Sequence, residues 1–188
     1  MSVIAITPKR FEDARGWFTE SWNRSKFREA GIDCDFCQDN HSYSVKAGTL
    51  RGLHFQKHPN AQAKLVRCLQ GRIFDVAVDI RASSPTFGEW IGIELSANIG
   101  NQLFIPSGYA HGFLTLEDHS EVAYKTDKHY SPEDDAGIIW NDDSLKINWP
   151  VEGLSIHLSE KDSCLPHLSN ANFHFEYDGK PLQKNLEK

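Results

Sequence analysis

Phe74-Asp75-Val76-Ala77-Val78-Asp79-Ile80 is the stretch of this sequence that decides the fold. Its large apolar residues occupy every second position, which is the period of a β-strand, and the pattern predicts a strand with one buried face. Similar short runs lie on both sides, at residues 64–69, 90–95, 102–105, 112–116 and 121–125. Turn-forming residues separate them, as in Gln70-Gly71, Ser83-Ser84-Pro85 and Pro106-Ser107-Gly108. Closely spaced short strands of this kind predict an antiparallel barrel or sandwich.

The sequence predicts little helix. The clearest early helix is expected from Ser25 to Ala30, where Ser25 or Asn23 could cap its start and Gly31 could end it. No internal repeat or low-complexity linker interrupts the chain, and 188 residues suit one compact domain with its own core. We therefore expect a single domain over residues 1–188, with the polar segment 176–188 at its periphery.

Composition and charge exclude several classes of protein. A net charge of -6 argues against nucleic-acid binding through a general basic surface, although a few local arginines could still bind an anionic small molecule. The sequence shows neither a secretory signal pattern nor the run of about 20 apolar residues that a membrane span needs. The expectation is a soluble, cytoplasmic protein with no nucleic-acid or membrane partner.

The four cysteines are Cys34, Cys37, Cys68 and Cys164. Only Cys34 and Cys37 have the CxxC spacing of zinc and redox motifs, and no second pair completes a set of four ligands. Free thiols in a reducing compartment are the preferred interpretation.

Two histidines and a lysine stand in or beside apolar strands, where an ionisable side chain needs a partner or a function. His54 lies between Leu53 and Phe55, after a stretch, 50–52, that looks turn-like. Because side chains alternate along a strand, His54 is expected to point away from its apolar neighbours and into the barrel interior. Spacing alone leaves two roles open, a general base and a structural histidine.

The segment Pro106-Ser107-Gly108-Tyr109-Ala110-His111 has the PxGxxH spacing of the second motif of the cupin superfamily, and so resembles those small jelly-roll barrels. Metal-binding cupins carry HxH in their first motif, whereas the corresponding stretch here, around His54, has no HxH. This difference favours metal-free acid–base chemistry.

A closer resemblance appears when a series of blocks is read in order along the chain: 13–18, 38–42, 50–56, 64–67, 75–81, 84–88, 105–106, 110–113, 124–125, 139–142 and 158–162. Together they resemble the dTDP-4-dehydrorhamnose 3,5-epimerase family. The resemblance implies an all-β, cupin-type jelly-roll barrel with a few short helices, generally a homodimer. It also implies conversion of dTDP-4-dehydro-6-deoxy-D-glucose to dTDP-4-dehydro-L-rhamnose without a cofactor or metal.

The same resemblance implies roles for individual residues. His54 would be the base, Asp162 the carboxylate that orients it, Lys64 the cation beside the C4 oxygen, and Tyr124 the proton donor on the opposite face. The substrate-binding positions are Arg15, Phe18, Glu20, Gln38, Asn40, Arg51, His111, Tyr130, Asp135 and Lys161. Among these, Arg15 and Arg51 would hold the diphosphate, Tyr130 would stack on thymine, His111 would bind or polarise the sugar, and Asp135 stands where the family usually has glutamate. Arg15, Phe18 and Glu20 would reach the site of the neighbouring subunit.

Several alternatives remain open on the sequence. The residues assigned to catalysis could instead have ordinary structural roles. Asp162 could be a surface acid, Lys64 an edge-strand lysine and Tyr124 an ordinary strand aromatic. Related enzymes epimerise only C3 or only C5. From other classes, a metal-dependent cupin and a non-catalytic sugar-binding jelly roll are also considered.

Overall fold

Residues 2–183 are described by a computed structural model of the chain, in which β-strands predominate. In chain order the elements are β1 (Ile4–Ile6), β2 (Arg10–Asp13), β3 (Gly16–Thr19), α1 (Arg24–Glu29), β4 (Gln38–Ser44), β5 (Leu50–Gln56), β6 (Lys64–Gln70), β7 (Arg72–Asp79), β8 (Trp90–Ser96), β9 (Gln102–Ile105), β10 (Tyr109–Thr115), β11 (Ser120–Thr126), β12 (Asp135–Gly137) and α2 (Glu160–Ser163), followed by a short 3-10 turn at Leu168–Asn170.

Two antiparallel five-stranded sheets form the body of the fold. The first has the strand order β1-β9-β6-β11-β4 and the second has the order β12-β5-β10-β7-β8. This architecture confirms the expected jelly-roll barrel with few helices. A separate two-stranded hairpin, β2–β3, stands apart from both sheets.

The six strands expected from the period-two pattern are all present, with ends displaced by a few residues. Two details of the prediction are wrong. The turn-like stretch 50–52 is the beginning of β5, and β7 is buried on both faces rather than one. Its small and acidic positions, Asp75 and Ala77, are fully buried, as are Val76 and Val78 on the opposite face.

A close approach of backbones explains the irregular sequence at the start of β5. Gly52 has a φ of 120°, and a Cβ placed on it would lie 2.5 Å from the Cα of Gly112 on β10. Only glycine fits such a contact in that conformation. The register between β5 and β10 shifts just there, between His111 and Phe113. His54 and His111 are directly paired across these strands as a result of this register.

Three apolar layers hold the sheets. The layer between them contains Val66, Leu103, Phe113 and Val122 among others. The outer face of the second sheet is covered by the segment 138–175, here called the C-terminal cover, whose Ile138, Leu145, Trp149 and Phe175 are buried against β5, β7 and β10. Phe27 of α1, with Ile32 and Cys34, packs on the outer face of the first sheet.

The early helix is confirmed, beginning one residue before the expected start. Asn23 is the N-cap, because its side chain accepts a hydrogen bond from the Lys26 backbone N–H, and Gly31 follows the C-cap with a φ of 93°. The second helix, α2, was not expected. Ser159 caps it by accepting from the Asp162 backbone N–H at 3.0 Å.

The segment 176–183, the described part of the expected polar tail, lies against the barrel. Glu176 forms a bridge with Ala82, Asp178 pairs with the buried Arg81 at 2.7 Å, and Leu182 is buried in the layer between the sheets. Residues 184–188 lie outside the described residues. None of the helices formed by residues 2–183 has the length and apolar character of a membrane span.

The four cysteines are free thiols, with Cys34 and Cys68 buried and Cys37 and Cys164 exposed. Burial raises the pKa of the Cys34 thiol to about 12, so the inner member of the CxxC pair is an unreactive thiol. Within residues 2–183, no three His, Cys, Asp or Glu side chains are grouped as metal ligands would be.

Candidate active site

A cavity of about 270 Å³ opens between the two sheets at one end of the barrel. Strands of both sheets and helix α2 contribute to its walls. Its lining brings together most of the residues expected from the sequence: Gln38, Asn40, His54, Lys64, Tyr124, Tyr130, Asp135 and Lys161. Phe55, Gln56 and Gln62 complete the lining.

His54 reaches this cavity because of strand alternation in β5. Leu53 and Phe55 point into the C-terminal cover, so His54 points the other way, as expected. Its Nε2 lies 2.5 Å from Oδ1 of Asp162, which α2 places beside β5. Since the carboxylate accepts the Nε2 proton, Nδ1 is the ring nitrogen left to take a proton from a ligand.

Asp162 is 3% exposed, which excludes the surface-acid alternative. Burial acts to raise the pKa of its carboxyl, but the hydrogen bond and charge of His54, together with hydrogen bonds from Ser159 and the Gly52 backbone, outweigh burial, and the pKa is lowered. The carboxylate therefore stays charged beside the imidazole. Histidine and carboxylate here have the spacing and burial of an oriented base.

Lys64 begins β6, which lies inside its sheet between β9 and β11, so the edge-strand alternative is wrong. Its Nζ contacts the backbone oxygen of His54 at 3.5 Å. Burial lowers the pKa of Lys64 to about 8, while the charges of Asp135 and Asp75 oppose that effect. Most Lys64 side chains are thus cationic at neutral pH, in a site with little water to screen the charge.

Tyr124 projects from β11, paired with Asn40 on one side and Val66 on the other. Burial raises the pKa of its phenol, so the hydroxyl keeps its proton at neutral pH. β11 belongs to the first sheet and β5 to the second. Tyr124 and His54 consequently approach the cavity from opposite walls.

A hydrogen-bonded group surrounds the mouth of the cavity. The Tyr130 hydroxyl donates to Oδ2 of Asp135 at 2.9 Å, and the Lys161 ammonium donates to the same oxygen. The Tyr130 backbone N–H donates to Gln38, whose amide in turn donates to Asn40 at 2.9 Å. Asp135 thus fixes both an exposed aromatic ring and a cation beside the opening.

His111 lies behind the cavity rather than in its wall. Its Nε2 lies 2.7 Å from Oδ1 of Asp75, and both residues are buried. Burial lowers the pKa of His111, although Asp75 opposes the shift. The imidazole is therefore neutral with its proton on Nε2, which leaves Nδ1 as a hydrogen-bond acceptor.

Arg51 also lies outside the lining. Its Nη2 donates to the Tyr43 backbone oxygen at 3.2 Å and to Ser44 Oγ at 3.3 Å, while its Nε is buried without a partner. In this arrangement the guanidinium joins β5 to β4. It also lies near enough to Tyr124 to oppose the rise in the pKa of that phenol.

The remaining expected residues are not brought to the cavity of their own chain. Arg15 pairs with Asp13 at 2.6 Å in the β2–β3 hairpin, Phe18 on the same hairpin is 66% exposed, and Glu20 pairs with Lys26. Phe11 and Trp17 of the hairpin are also exposed. The hairpin therefore presents an exposed aromatic surface, while Arg10 attaches it to the turn after β8 by donating to the Ala97 and Asn98 backbone oxygens.

Sequence reasoning missed Gln56 and Asp75. Gln56 is buried, donates to the backbone oxygens of Asn60 and His129, and accepts from the Ser131 backbone N–H at 2.8 Å. It lies two residues after His54, so strand periodicity could have placed it on the same face. Asp75 could have been found from the same alternation in β7.

Comparison with known proteins agrees with this geometry. The profile of the family described as dTDP-4-dehydrorhamnose 3,5-epimerase matches residues 1–170. The chain belongs to this family. It is 52% identical over 170 residues to the dTDP-4-dehydrorhamnose 3,5-epimerase of Salmonella typhimurium, covering 90% of this chain and 92% of that one.

Solved structures of family members superpose closely. The enzyme from Legionella pneumophila in complex with dTDP-4-keto-L-rhamnose is 42% identical with a TM-score of 0.89, covering 94% of both chains. The epimerase from Bacillus anthracis with TDP and PPi bound is 51% identical with a TM-score of 0.85, covering 88% of this chain and 93% of that one. A 3'-monoepimerase from Streptomyces bikiniensis in complex with dTDP-quinovose is 32% identical with a TM-score of 0.83, covering 89% of this chain and 84% of that one.

Proposed function

We propose that this protein is a cofactor-independent epimerase that inverts C3 and C5 of dTDP-4-dehydro-6-deoxy-D-glucose to give dTDP-4-dehydro-L-rhamnose. One observation carries the proposal. A single cavity in a chain of this family joins the His54–Asp162 pair, the partly buried cation Lys64 and the protonated Tyr124. These are the groups that two proton transfers next to a ketone require.

The chemistry follows from the position of the C4 carbonyl between C3 and C5. Removal of a proton from either carbon gives an enolate whose charge rests on the C4 oxygen. In the proposal, Nδ1 of His54 takes the proton, and Asp162 orients the ring and balances the imidazolium that forms. Lys64 supplies the positive charge beside the oxygen, an effect that lowers such barriers by about 3 kcal/mol.

Inversion needs reprotonation from the face opposite to the base. Tyr124 is assigned this step, and its place on the first sheet, across the cavity from His54 on the second, supports the assignment. Its raised pKa keeps the proton available until the enolate is present. With its Nε2 proton held by Asp75, His111 is assigned to accept a hydrogen bond from a sugar hydroxyl.

The nucleotide would lie at the mouth of the cavity. Tyr130 offers an exposed aromatic face for thymine, and Lys161 offers a cation for the diphosphate. Asp135 holds both side chains, and Gln38, which is itself bonded to Asn40, holds the Tyr130 backbone. Arg51 is assigned to the diphosphate as well, and its partly unpartnered guanidinium supports that role.

Exchange of substrate hydrogens in heavy water tests the proposed function. Wild-type protein with dTDP-4-dehydro-6-deoxy-D-glucose should incorporate deuterium at both C3 and C5, followed by proton NMR of the product mixture. Incorporation at neither carbon would refute the epimerase and favour a sugar-binding barrel. Incorporation at one carbon alone would replace it with the C3-only or C5-only reaction, for which the monoepimerase from Streptomyces bikiniensis is a precedent.

We also propose that the protein works as a homodimer. The support is the β2–β3 hairpin, whose Phe11, Trp17 and Phe18 are exposed, together with the position of Arg15 and Glu20 outside the cavity lining. The hairpin of one subunit would bring Arg15, Phe18 and Glu20 to the site of the other. Sedimentation with parallel assays over a dilution series tests this. Specific activity should fall as the dimer dissociates, and full activity in a monomer would contradict it.

A further inference from the structure

Asp75 is a fully buried carboxylate with an incomplete set of partners. It lies on the interior face of β7, and its Oδ1 accepts the hydrogen bond from His111 Nε2 at 2.7 Å. Its Oδ2 is buried and has no hydrogen-bond partner. An unpartnered carboxylate oxygen in a closed interior costs considerable free energy unless a nearby cation balances the charge.

The cation that meets this need is Lys64. Its Nζ has one long contact, to the His54 backbone oxygen at 3.5 Å, and so retains hydrogen-bonding capacity. The negative charges of Asp135, at the mouth of the cavity, and of Asp75, in the interior, both favour the protonated form of Lys64. The partly buried Lys64 on β6 is thus influenced by carboxylates on two other strands, β12 and β7.

Asp135 and Asp75 differ in their other hydrogen-bond and ion-pair partners. Asp135 already accepts hydrogen bonds from Tyr130 and from Lys161, so its charge is shared with a second cation. Asp75 has only the neutral imidazole of His111 as a partner. Among the residues that the structure describes, no lysine or arginine forms an ion pair with Asp75, and Lys64 is the cation on which its charge acts at longer range.

We propose that Asp75 is a positioning residue of the reaction: its carboxylate keeps Lys64 charged beneath the C4 oxygen and holds His111 as a hydrogen-bond acceptor. This inference rests on the proposed function for the identity of the oxygen that Lys64 faces. The electrostatic coupling between Asp75 and Lys64 does not depend on that identity, and it can be measured without substrate.

The pH dependence has a definite sign. Lys64 must be protonated to oppose the enolate charge, and its pKa is about 8 in the presence of Asp75. Removing one nearby carboxylate lowers the pKa of a buried lysine by about 1 unit or more. The titratable and charged groups around Lys64 are Asp135 on β12, Asp75 on β7, His54 on β5, His111 on β10, Tyr124 on β11 and Lys161 on α2.

The test is Asp75→Asn, which keeps the shape of the side chain and removes its charge. With the lysine side chains labelled with ¹³C, NMR follows the Lys64 Cε resonance through a pH titration. The midpoint should fall by about 1 unit or more in the variant. At pH 7.5 kcat should fall by at least about threefold with a smaller change in KM, and the alkaline limb of kcat should move to lower pH.

Asp79→Asn is the matched control. Asp79 is also fully buried on β7, but it pairs with Arg81 at 2.7 Å and lies outside the cavity lining. Its substitution should lower the thermal midpoint without moving the Lys64 titration. An unchanged Lys64 midpoint in folded Asp75→Asn would overturn the proposal, even if the wild-type protein proves to be an epimerase.

If Asp75→Asn does not fold, Asp75→Ser repeats the measurement with a smaller neutral side chain that can still accept a hydrogen bond from His111 Nε2. The Lys64 midpoint should again fall by about 1 unit or more, and an unchanged midpoint would overturn the proposal. A shifted Lys64 midpoint in a protein without epimerase activity would support the coupling and refute the proposed reaction.

Discussion

Two histidine–aspartate pairs at the cavity have nearly the same bond. His54 Nε2 lies 2.5 Å from Asp162, and His111 Nε2 lies 2.7 Å from Asp75. Their surroundings differ. The His54 side chain is 29% exposed and lines the cavity, whereas the His111 side chain is 6% exposed behind it.

Access to the second ring nitrogen separates the two pairs. In each, the carboxylate holds the Nε2 proton and leaves Nδ1 as the acceptor, but His54 lines the cavity, where a ligand has direct access to the ring, whereas little of the His111 ring is exposed. The difference shows that a histidine–aspartate bond does not by itself identify a base. The opening beside the ring and the cation and acid around it make that assignment.

The largest expected effect on kcat comes from replacing His54, the more exposed of the two histidines. His54→Asn removes the proposed base, and we expect kcat to fall by about 10³-fold, within the range for loss of a general base. Deuterium incorporation at C3 and C5 should fall with it, measured by NMR.

His111→Asn is the control for this change, because it alters a buried histidine of the same strand pair without removing a proposed base. Its loss of kcat should be smaller by at least about tenfold, since a binding contact contributes less than a base. Equal losses in the two variants would remove the distinction between the pairs.

Lys64→Met tests whether the cation beside the open pair contributes to the chemical step. We expect kcat to fall by about 10²-fold, as for loss of one oxyanion donor. Because the pKa of Lys64 is about 8, the contribution of this residue is complete well below pH 8 and is lost as pH rises through that value. Wild-type kcat should decline on that limb and the variant should not, which a pH–rate profile measures.

Tyr124→Phe separates proton removal from inversion. We expect net epimerisation to fall by about 10²-fold because the proposed acid is missing, while His54 still removes protons. Deuterium should therefore enter the unconverted substrate faster than product forms. Loss of exchange in parallel with turnover would assign Tyr124 to binding instead.

Asp135→Asn has the smallest expected effect. It weakens the hydrogen bonds that hold Tyr130 and Lys161 at the mouth, and KM should rise about fivefold, the equivalent of about 1 kcal/mol for a hydrogen bond, with little change in kcat. Asp134→Asn, a neighbouring acid that holds Asn60 and Ser131, is the matched control. A fall in kcat at constant KM would place Asp135 in the chemistry.

Local sequence patterns predicted much of the fold and part of the candidate site. Alternation in the run 74–80 gave β7, and alternation around His54 gave the direction of its side chain, because both depend only on backbone geometry. The partnership of His54 with Asp162 depends on a four-residue helix within the C-terminal cover, and no local signal measures a contact between residues 108 positions apart. The resemblance to a known family provided that pair, and the geometry supports it.

Other features of the site depend on long-range packing. The pattern of β7 predicted one buried face because a sequence does not show that the C-terminal cover closes the other side. The burial of Asp75 and the enclosure of Lys64 arise only when the two sheets face each other. The expected sites of Arg15, Phe18 and Glu20 involve a second subunit, which one chain does not contain.

The origin of Asp162 in the C-terminal cover has a consequence for inactivation by heat. The cover is attached to the second sheet by a bridge between Thr49 and His157, by the His157 oxygen that accepts from the Leu50 backbone N–H, and by the side chains of its apolar layer. Most of the cavity wall belongs to the barrel, but the partner of His54 does not. A partial detachment of residues 159–166 would leave the strands folded and the base without its carboxylate. In this protein, activity is a probe of the attachment of the cover, and its loss on heating would precede the melting of the sheets.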